Sequence, residues 1–407
     1  MFLPVDEQLA RITEGTEDVL PADGLEEKLE RSREAEEPLV VKQGFDPTRP
    51  DLHVGHAVSL RKLRTFQELG HRVVFVIGDF TARIGDPSGQ SETRPVLTEE
   101  EIRENLATYR DQVSRVLDPE RTEVRRNSEW LGELDLADVL RLTGMYTVAR
   151  MLERDDFARR HEEGRPISIS EFLDPMMQGY DSVVLDADVE LGGTDQRFNL
   201  LLARTLQEKH GQDPQVCLIM PLLRGTDGER KMSKSYDNYV GLAMEPEEVF
   251  GRTMSIPDDL LPEWIRLASS ARGEEADDRI AEAEEDPLEV KRWLAADLVE
   301  QYHGADAARN AREAFDRVHR EHGVPEDVPE FTLEADGESG TLWIGYALQG
   351  AELVDSTSEA LRMLRQDAVR VDGDTVTDKD LQLPPGEHLL QKGKRSFARV
   401  TVRSGEG

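Results

Sequence analysis

Apolar positions follow two interleaved patterns over the first 240 residues and only one, the helical, from about 241 to 323. "PLVVKQ" (38–43) is a short apolar run of the kind a buried strand needs, and the "GFDPTRPD" turn ends it. Leu60, Leu63, Phe66 and Leu69 then recur at helical spacing, which predicts a helix from about His53 to Leu69 with Gly70 closing it. "HRVVFVIGDF" returns to a β-rich pattern, and strand, helix and strand at this length make the βαβ unit of a parallel sheet. The theme recurs as "SVVLDADVELGGTDQ", the apolar helix "FNLLLARTLQEKHG", the strand "PQVCLIMPLL" and the loop "RGTDGERKMSKSYDN".

Residues 98–170 separate these halves and read as a helical insertion, with Thr98 and Glu101 at capping-box spacing. After about residue 241 the β pattern gives way to helices such as "LLPEWIRLASSA" and "LEVKRWLAADLVEQYHG". The expected organisation is an N-terminal helical segment (1–34), a Rossmann-like α/β domain (35–240), a helical domain (241–323), an acidic linker with Pro and Gly (324–340) and a small α+β unit (341–407). In that last unit Ser356 and Glu359 open a helix, "AVRVDGDTVTD" forms an Asp-Gly hairpin, and a further strand follows.

Charge complicates the picture. Fifty basic residues stand against 84 acidic ones, a net of −34, and only ten of the fifty are lysine. An acidic excess argues against a polyanion partner, because nucleic-acid binding rests on neutralising phosphates. Spread along the whole chain, it fits a surface kept hydrated in concentrated salt. The informative question is where the positive charge is kept. The lone cysteine, Cys217, sits in "VCLIMPLL" as a core thiol and excludes a disulfide framework. No apolar run approaches a membrane span, and the first residues lack the basic start of a signal peptide, so a cytoplasmic protein without a membrane partner is expected.

Two motifs carry candidate chemistry. His53 and His56 flank Gly55 at the start of the helix that follows the first strand. Such a pair could bind a metal, but no third ligand lies nearby, or could be surface polarity at a helix end. A helix N-terminus at that place in a parallel sheet is an anion site, and imidazoles there can donate to phosphate oxygens. "KMSKS" (231–235) supplies a counterpart: Lys231 and Lys234, two of the ten lysines, on a Gly-rich loop suited to a departing pyrophosphate.

With both motifs in hand, the chain resembles the class I aminoacyl-tRNA synthetases, since "HVGH" is similar to their HIGH signature and "KMSKS" follows about 175 residues on. Within that class it resembles the bacterial tyrosyl-tRNA synthetases, whose "GFDPTRPDLHVGH", "GDFTARIGDPSG", "NSEW", "QGYDSV" and "LGGTDQRFN" segments occur here in order. The resemblance implies a two-step ligase: tyrosine and ATP give tyrosyl-adenylate and pyrophosphate, and the tyrosyl group then passes to the 3′ end of tRNA(Tyr). Magnesium would accompany ATP as a counterion, with no resident metal site.

It also implies roles. Thr48, His53, His56, Lys231 and Lys234 would act on the phosphates, with Arg94 as a further candidate. Asp46, Gly55, Gly193, Asp195, Ser233 and Ser235 would line the ATP site. Asp181 would accept the phenolic hydrogen bond, Asp86, Asn127 and Gln178 would hold the ammonium end, and Gln196 the carboxylate. Lys42 and Asp174 stand where many members carry tyrosines that touch the substrate. The helical domain would bind the anticodon arm. The last unit is similar to the S-four RNA-binding module, and Arg362, Arg365, Arg370, Lys392, Lys394 and Arg395 would meet tRNA phosphates. Met145, Val148, Met151 and Leu152 form an apolar stripe in the insertion, either intramolecular core or the contact of an expected homodimer. Competing readings are a tryptophanyl-tRNA synthetase, a small-molecule adenylyltransferase and a non-catalytic RNA-binding relative. "QGYD", the residues beyond "KMSKS" and the two intact phosphate motifs speak against them in turn.

Overall fold

The computed structural model describes residues 2–47, 51–84, 98–319, 328–335, 340–393 and 396–403. They form two compact units, divided between Ala308 and Arg309. No helix among them is long and apolar enough to cross a membrane.

The first unit is built on a six-stranded sheet: β1 (Asp18–Leu20), β2 (Val40–Phe45), β3 (Arg72–Ile77), β4 (Thr122–Arg126), β5 (Val189–Gly193) and β6 (Val216–Met220). Its order is β1-β6-β5-β2-β3-β4, parallel except for β1 against β6. Chain order reverses at the β2–β5 seam, the place where an open α/β sheet offers a crevice at its carboxyl edge. The helices before and just after it are α1 (Val5–Thr13), α2 (Gly24–Ala35) and α3 (Val54–Glu68), the last close to the expected span with His53 as its N-cap. α3 buries Val54, Ala57, Val58, Leu60, Leu63 and Phe66 beneath the sheet, as its spacing predicted.

The insertion comprises α4 (Glu99–Val113), α5 (Ser128–Leu131), α6 (Leu136–Thr143), α7 (Val148–Met151) and α8 (Asp155–Glu162). Thr98 caps α4 as expected: its Oγ1 accepts from the Glu101 amide, and Glu101 accepts from the Thr98 amide. α9 (Leu173–Leu185) and α10 (Arg197–Lys209) then pack on each other and flank β5. Beyond the sheet come α11 (Pro246–Met254), α12 (Leu261–Ala268), α13 (Gly273–Glu285) and α14 (Pro287–His303); α15 (Ala305–His319) crosses the division. Arg61, half-buried on α3, donates to the Ala268 and Ser269 carbonyls and to Gln301, tying α3 to α12 and α14.

Four sequence expectations change. The 1–34 segment is not wholly helical, because Asp18–Leu20 adds an antiparallel edge strand. The 98–170 insertion contains β4, a strand of the main sheet; its "TEVRR" sequence is polar because it lies at an edge and is nowhere buried. "SVVL" ends a helix rather than a strand, so β5 begins only at Val189. Within the 324–340 linker, Glu330–Glu334 forms a strand whose Phe331 and Leu333 pack on the terminal core.

That strand, β7, belongs to the second unit. With β8 (Leu342–Trp343), β9 (Val369–Val371), β10 (Asp374–Thr375), β11 (Gln382–Leu383), β12 (Gly386–Lys392) and β13 (Ser396–Arg403), it forms a five-stranded sheet, β10-β9-β12-β13-β7, and a separate β8–β11 pair. α16 (Ile344–Gly350) and α17 (Thr357–Arg365) complete the unit, and the Glu359 amide donates to Ser356 Oγ at the start of α17. Asp372 and Gly373 turn the expected hairpin with φ of 52° and 94°, the left-handed pair a two-residue turn needs. More strands are present than the sequence pattern indicated, because most are two or three residues long.

Candidate active site

The carboxyl edge of the β2–β5 seam gathers most of the expected residues. His53 and His56 stack with ring centroids 3.8 Å apart at the N-terminus of α3. His56 Nδ1 accepts from the His53 amide at 3.2 Å, so neutral His56 carries its proton on Nε2. Burial, with the positive Lys234 and Lys231 nearby, lowers His56 to about 4. Burial, then His56 and the same lysines, holds His53 well below the ordinary imidazole range. Near neutrality both rings are therefore uncharged donors, and fixed positive charge comes from the lysines. His53 Nδ1 is buried with no hydrogen-bond partner among the described residues. Space at Gly55 is tight: a Cβ there would lie 3.0 Å from His53 Nδ1 and 3.4 Å from Met232 Cβ.

The lysine loop lies against this helix end. The Gly55 amide donates to Met232 Sδ at 3.3 Å. Lys234 Nζ is 2.6 Å from Asp51 and lies over the Tyr239 ring, while Lys231 Nζ is 2.8 Å from Asp195. Buried Asn238 shapes the loop by accepting from the Ser233 amide and donating to Asp227 and the Lys231 carbonyl. Ser233 Oγ accepts from the Ser235 amide. Asp195 follows the end of β5, and a Cβ on Gly193 would fall 2.7 Å from its Oδ1. Asp46, after β2, accepts from Thr81 Oγ1 at 2.7 Å.

Deeper in the seam, strand register creates a buried pair. Lys42 of β2 stands opposite Glu190 of β5, with Nζ 2.9 Å from the carboxylate and both side chains 1% exposed. Lys42 also donates to the Gln178 carbonyl, and Gln178 Nε2 to Glu190. Asn199 Nδ2 donates to both Gln178 Oε1 and Gln196 Oε1, and its own Oδ1 accepts from buried Arg154. That acceptor contact fixes which way the Asn199 amide faces, and so sets both glutamines.

Asp181, buried on α9, accepts from Trp130 Nε1 at 2.8 Å and from Asn127 Nδ2 at 3.4 Å. The structure thus brings Asn127 to Asp181, although it was expected at the ammonium end beside Gln178. β4 is the reason, since its carboxyl end delivers Asn127 and Trp130 there. Burial raises Asp181 to about 7 against the opposing pull of Lys42, Trp130 and Asn127. Asp174 is buried nearby in chain on the same helix. Thr48, Asp86, Arg94, Lys394 and Arg395 lie outside the described residues.

Because the folded carboxyl titrates near 7 and an ordinary one near 3.8, the folded chain holds the extra proton between those values. Stability contributed by the protonated form is present below about 4 and lost as pH rises through 7. Binding of a phenol that donates to the carboxylate runs the other way. Tyrosine affinity should weaken as pH falls below 7 and show no such break in Asp181→Asn; equilibrium dialysis across pH 5.5–8.5 (about one and a half units either side) checks it.

Sequence reasoning missed Asp51, Trp130, Arg154, Glu190, Asn199 and Asn238. Trp130 and Asn199 lay inside quoted motifs, and Asp51 is two residues before His53. Glu190 had a signal as well, an acid in an apolar strand whose pairing strand carries a lysine.

In the second unit, Arg362 and Arg365 are exposed in the last turn of α17. Arg370 on β9 and Arg399 on β13 share the sheet face opposite buried Val369, Leu390 and Ala398, while Lys392 has the other parity at the end of β12.

Residues 34–320 match the profile of the tRNA synthetases class I (W and Y). The tyrosine–tRNA ligase of Salinibacter ruber is 52% identical over 98% of this chain and 97% of its own. That of Moorella thermoacetica is 50% identical over 97% and 96%. Full-length identity to tyrosine ligases decides between the two amino acids the profile allows. The chain belongs to the tyrosyl-tRNA synthetases. A tyrosyl-tRNA synthetase from Archaeoglobus fulgidus complexed with L-tyrosine superposes with a TM-score of 0.62, at 26% identity, over 76% of this chain and all of the other. Like other tyrosyl-tRNA synthetases, the chain is an ATP-dependent tyrosine–tRNA ligase.

Proposed function

We propose that the β2–β5 seam performs tyrosine activation with the residues assigned above. The observation that carries this reading is that two uncharged imidazoles and two ammonium groups converge on the N-terminus of α3. A tyrosine carboxylate oxygen attacks the α-phosphorus of ATP, the bond to the bridging oxygen breaks, and pyrophosphate leaves with that electron pair. His53 and His56, with Thr48, donate to the phosphates, and Lys231 and Lys234 exchange their carboxylates for them as charge builds. Asp195 takes the ribose, Asp181 the phenol, and Gln178 and Gln196 the two ends of the amino-acid backbone. Magnesium arrives with ATP as part of that substrate; no cluster of three metal-binding side chains occurs among the described residues. In the second step the terminal ribose hydroxyl of tRNA attacks the acyl carbon and AMP departs. ATP–pyrophosphate exchange across the twenty amino acids should respond to tyrosine alone; exchange driven by tryptophan would overturn the assignment.

A homodimer through the insertion is part of the same proposal. Met151 is buried, and Met145 and Leu152 pack against the core, so three of the four stripe residues serve this chain's own interior. Val148 remains 61% exposed and joins Leu136, Leu140 and Ile169 as exposed apolar positions in or beside the insertion. Sedimentation at micromolar concentration should give twice the 45.9 kDa chain mass. The acidic surface is read as a device for solubility in concentrated salt, and the protein as cytoplasmic.

A further inference from the structure

Helix α4 begins the insertion, yet one of its faces is turned to the loop that leads into His53. Asn105, Tyr109 and Gln112 occupy i, i+4 and i+7 and therefore share that face. Asn105 Nδ2 donates to the Pro47 carbonyl at 2.8 Å. The Tyr109 hydroxyl donates to the Asp46 carbonyl at 3.3 Å. Gln112 Oε1 accepts from the Leu52 amide at 2.6 Å. All three partners are backbone groups, and they lie on both sides of residues 48–50. Tyr109 and Gln112 are buried. Gln112 cannot readily turn its amide round, because its Nε2 is engaged with Thr108 Oγ1.

The helix that makes these contacts is itself fixed at both ends. Thr98 and Glu101 cap its start. Arg115, just past its end, donates to the Tyr302 carbonyl and meets His303 at the close of α14. Backbone outside helices and strands needs outside anchors to hold one conformation. Here three anchors come from a single helix.

We infer that Asn105, Tyr109 and Gln112 of α4 are positioning residues that hold the backbone of Asp46, Pro47 and Leu52, and through Leu52 the adjoining His53, in register with the phosphates of ATP. The inference rests on the phosphate role proposed above for His53. None of the three side chains need touch substrate. Their effect is on where the phosphate donors stand, and misplacement of such groups by about 1 Å can lower a rate about 10²-fold.

The test uses the full-length protein and rapid-quench measurement of adenylate formation at saturating tyrosine with ATP varied, beside equilibrium dialysis of tyrosine. Gln112→Leu should lower the rate constant for adenylate formation or raise the ATP concentration it requires by about 10- to 100-fold, with tyrosine affinity unchanged. Gln112→Glu keeps an acceptor for the Leu52 amide and should recover most of that loss. Asn105→Ala, at a less buried position, keeps the question answerable if Gln112→Leu does not fold, and should show the same split more weakly. Folded variants with unaltered ATP kinetics would overturn the inference, as would equal losses of tyrosine and ATP affinity. His53→Ala serves as the reference arm. If it is slow while the α4 variants are normal, only the positioning role falls; if it too is normal, the phosphate reading falls and takes the positioning role with it.

Discussion

Replacing His53 by alanine should slow adenylate formation by roughly 10²–10³-fold, or about 2.7–4 kcal/mol, the scale for losing one preorganised donor. Tyrosine affinity should stay unchanged, because His53 stands at the α3 N-terminus and Asp181 receives its hydrogen bonds from a different set of residues. Lys234→Ala should behave alike, with one difference. Removing the ammonium leaves Asp51 without its 2.6 Å partner beside the phosphate path, so repulsion adds to the lost attraction. Rapid-quench kinetics with both substrates varied separate the two effects. A His53 variant with the parent rate constant would remove the imidazoles from the mechanism.

The second large effect concerns tRNA. A chain ending at residue 319 should retain tyrosine activation, since every described residue of the proposed activation site lies in the first unit. Aminoacylation should fall by about 10³-fold or more, the scale on which phosphate contacts govern nucleic-acid affinity. The cut belongs there rather than at residue 340, because β7 pairs with β13 and belongs to the terminal sheet. Pyrophosphate exchange and tRNA charging should be measured side by side on the shortened chain. Equal loss of both would make the terminal unit a structural support, and full charging would place the tRNA contacts elsewhere.

What the sequence disclosed depended on how each residue reaches its place. α3 was legible because its apolar spacing and its histidines lie on one continuous stretch. The lysine loop was legible because lysine is scarce in this chain. β4 was not, since an edge strand that buries nothing carries no alternating pattern, and with it went the path that brings Trp130 to Asp181. β7 was hidden among Pro, Gly and acids, though Phe331 and Leu333 alternate as a one-sided strand should. Asp51 illustrates a different limit. It becomes the partner of Lys234 only through a contact spanning 183 residues, which no local pattern can announce.

The buried Lys42–Glu190 pair bears on how this pocket could be redesigned or could drift. Neither position can be varied alone without stranding the other charge, and breaking a buried pair from one side costs about 3–5 kcal/mol, a large share of the ~5–15 kcal/mol that holds a domain folded. Positions 42 and 190 therefore behave as one heritable unit. A library aimed at altered amino-acid recognition should draw paired codons for them, because nearly every single-site member would be screened out for instability before its specificity could be read.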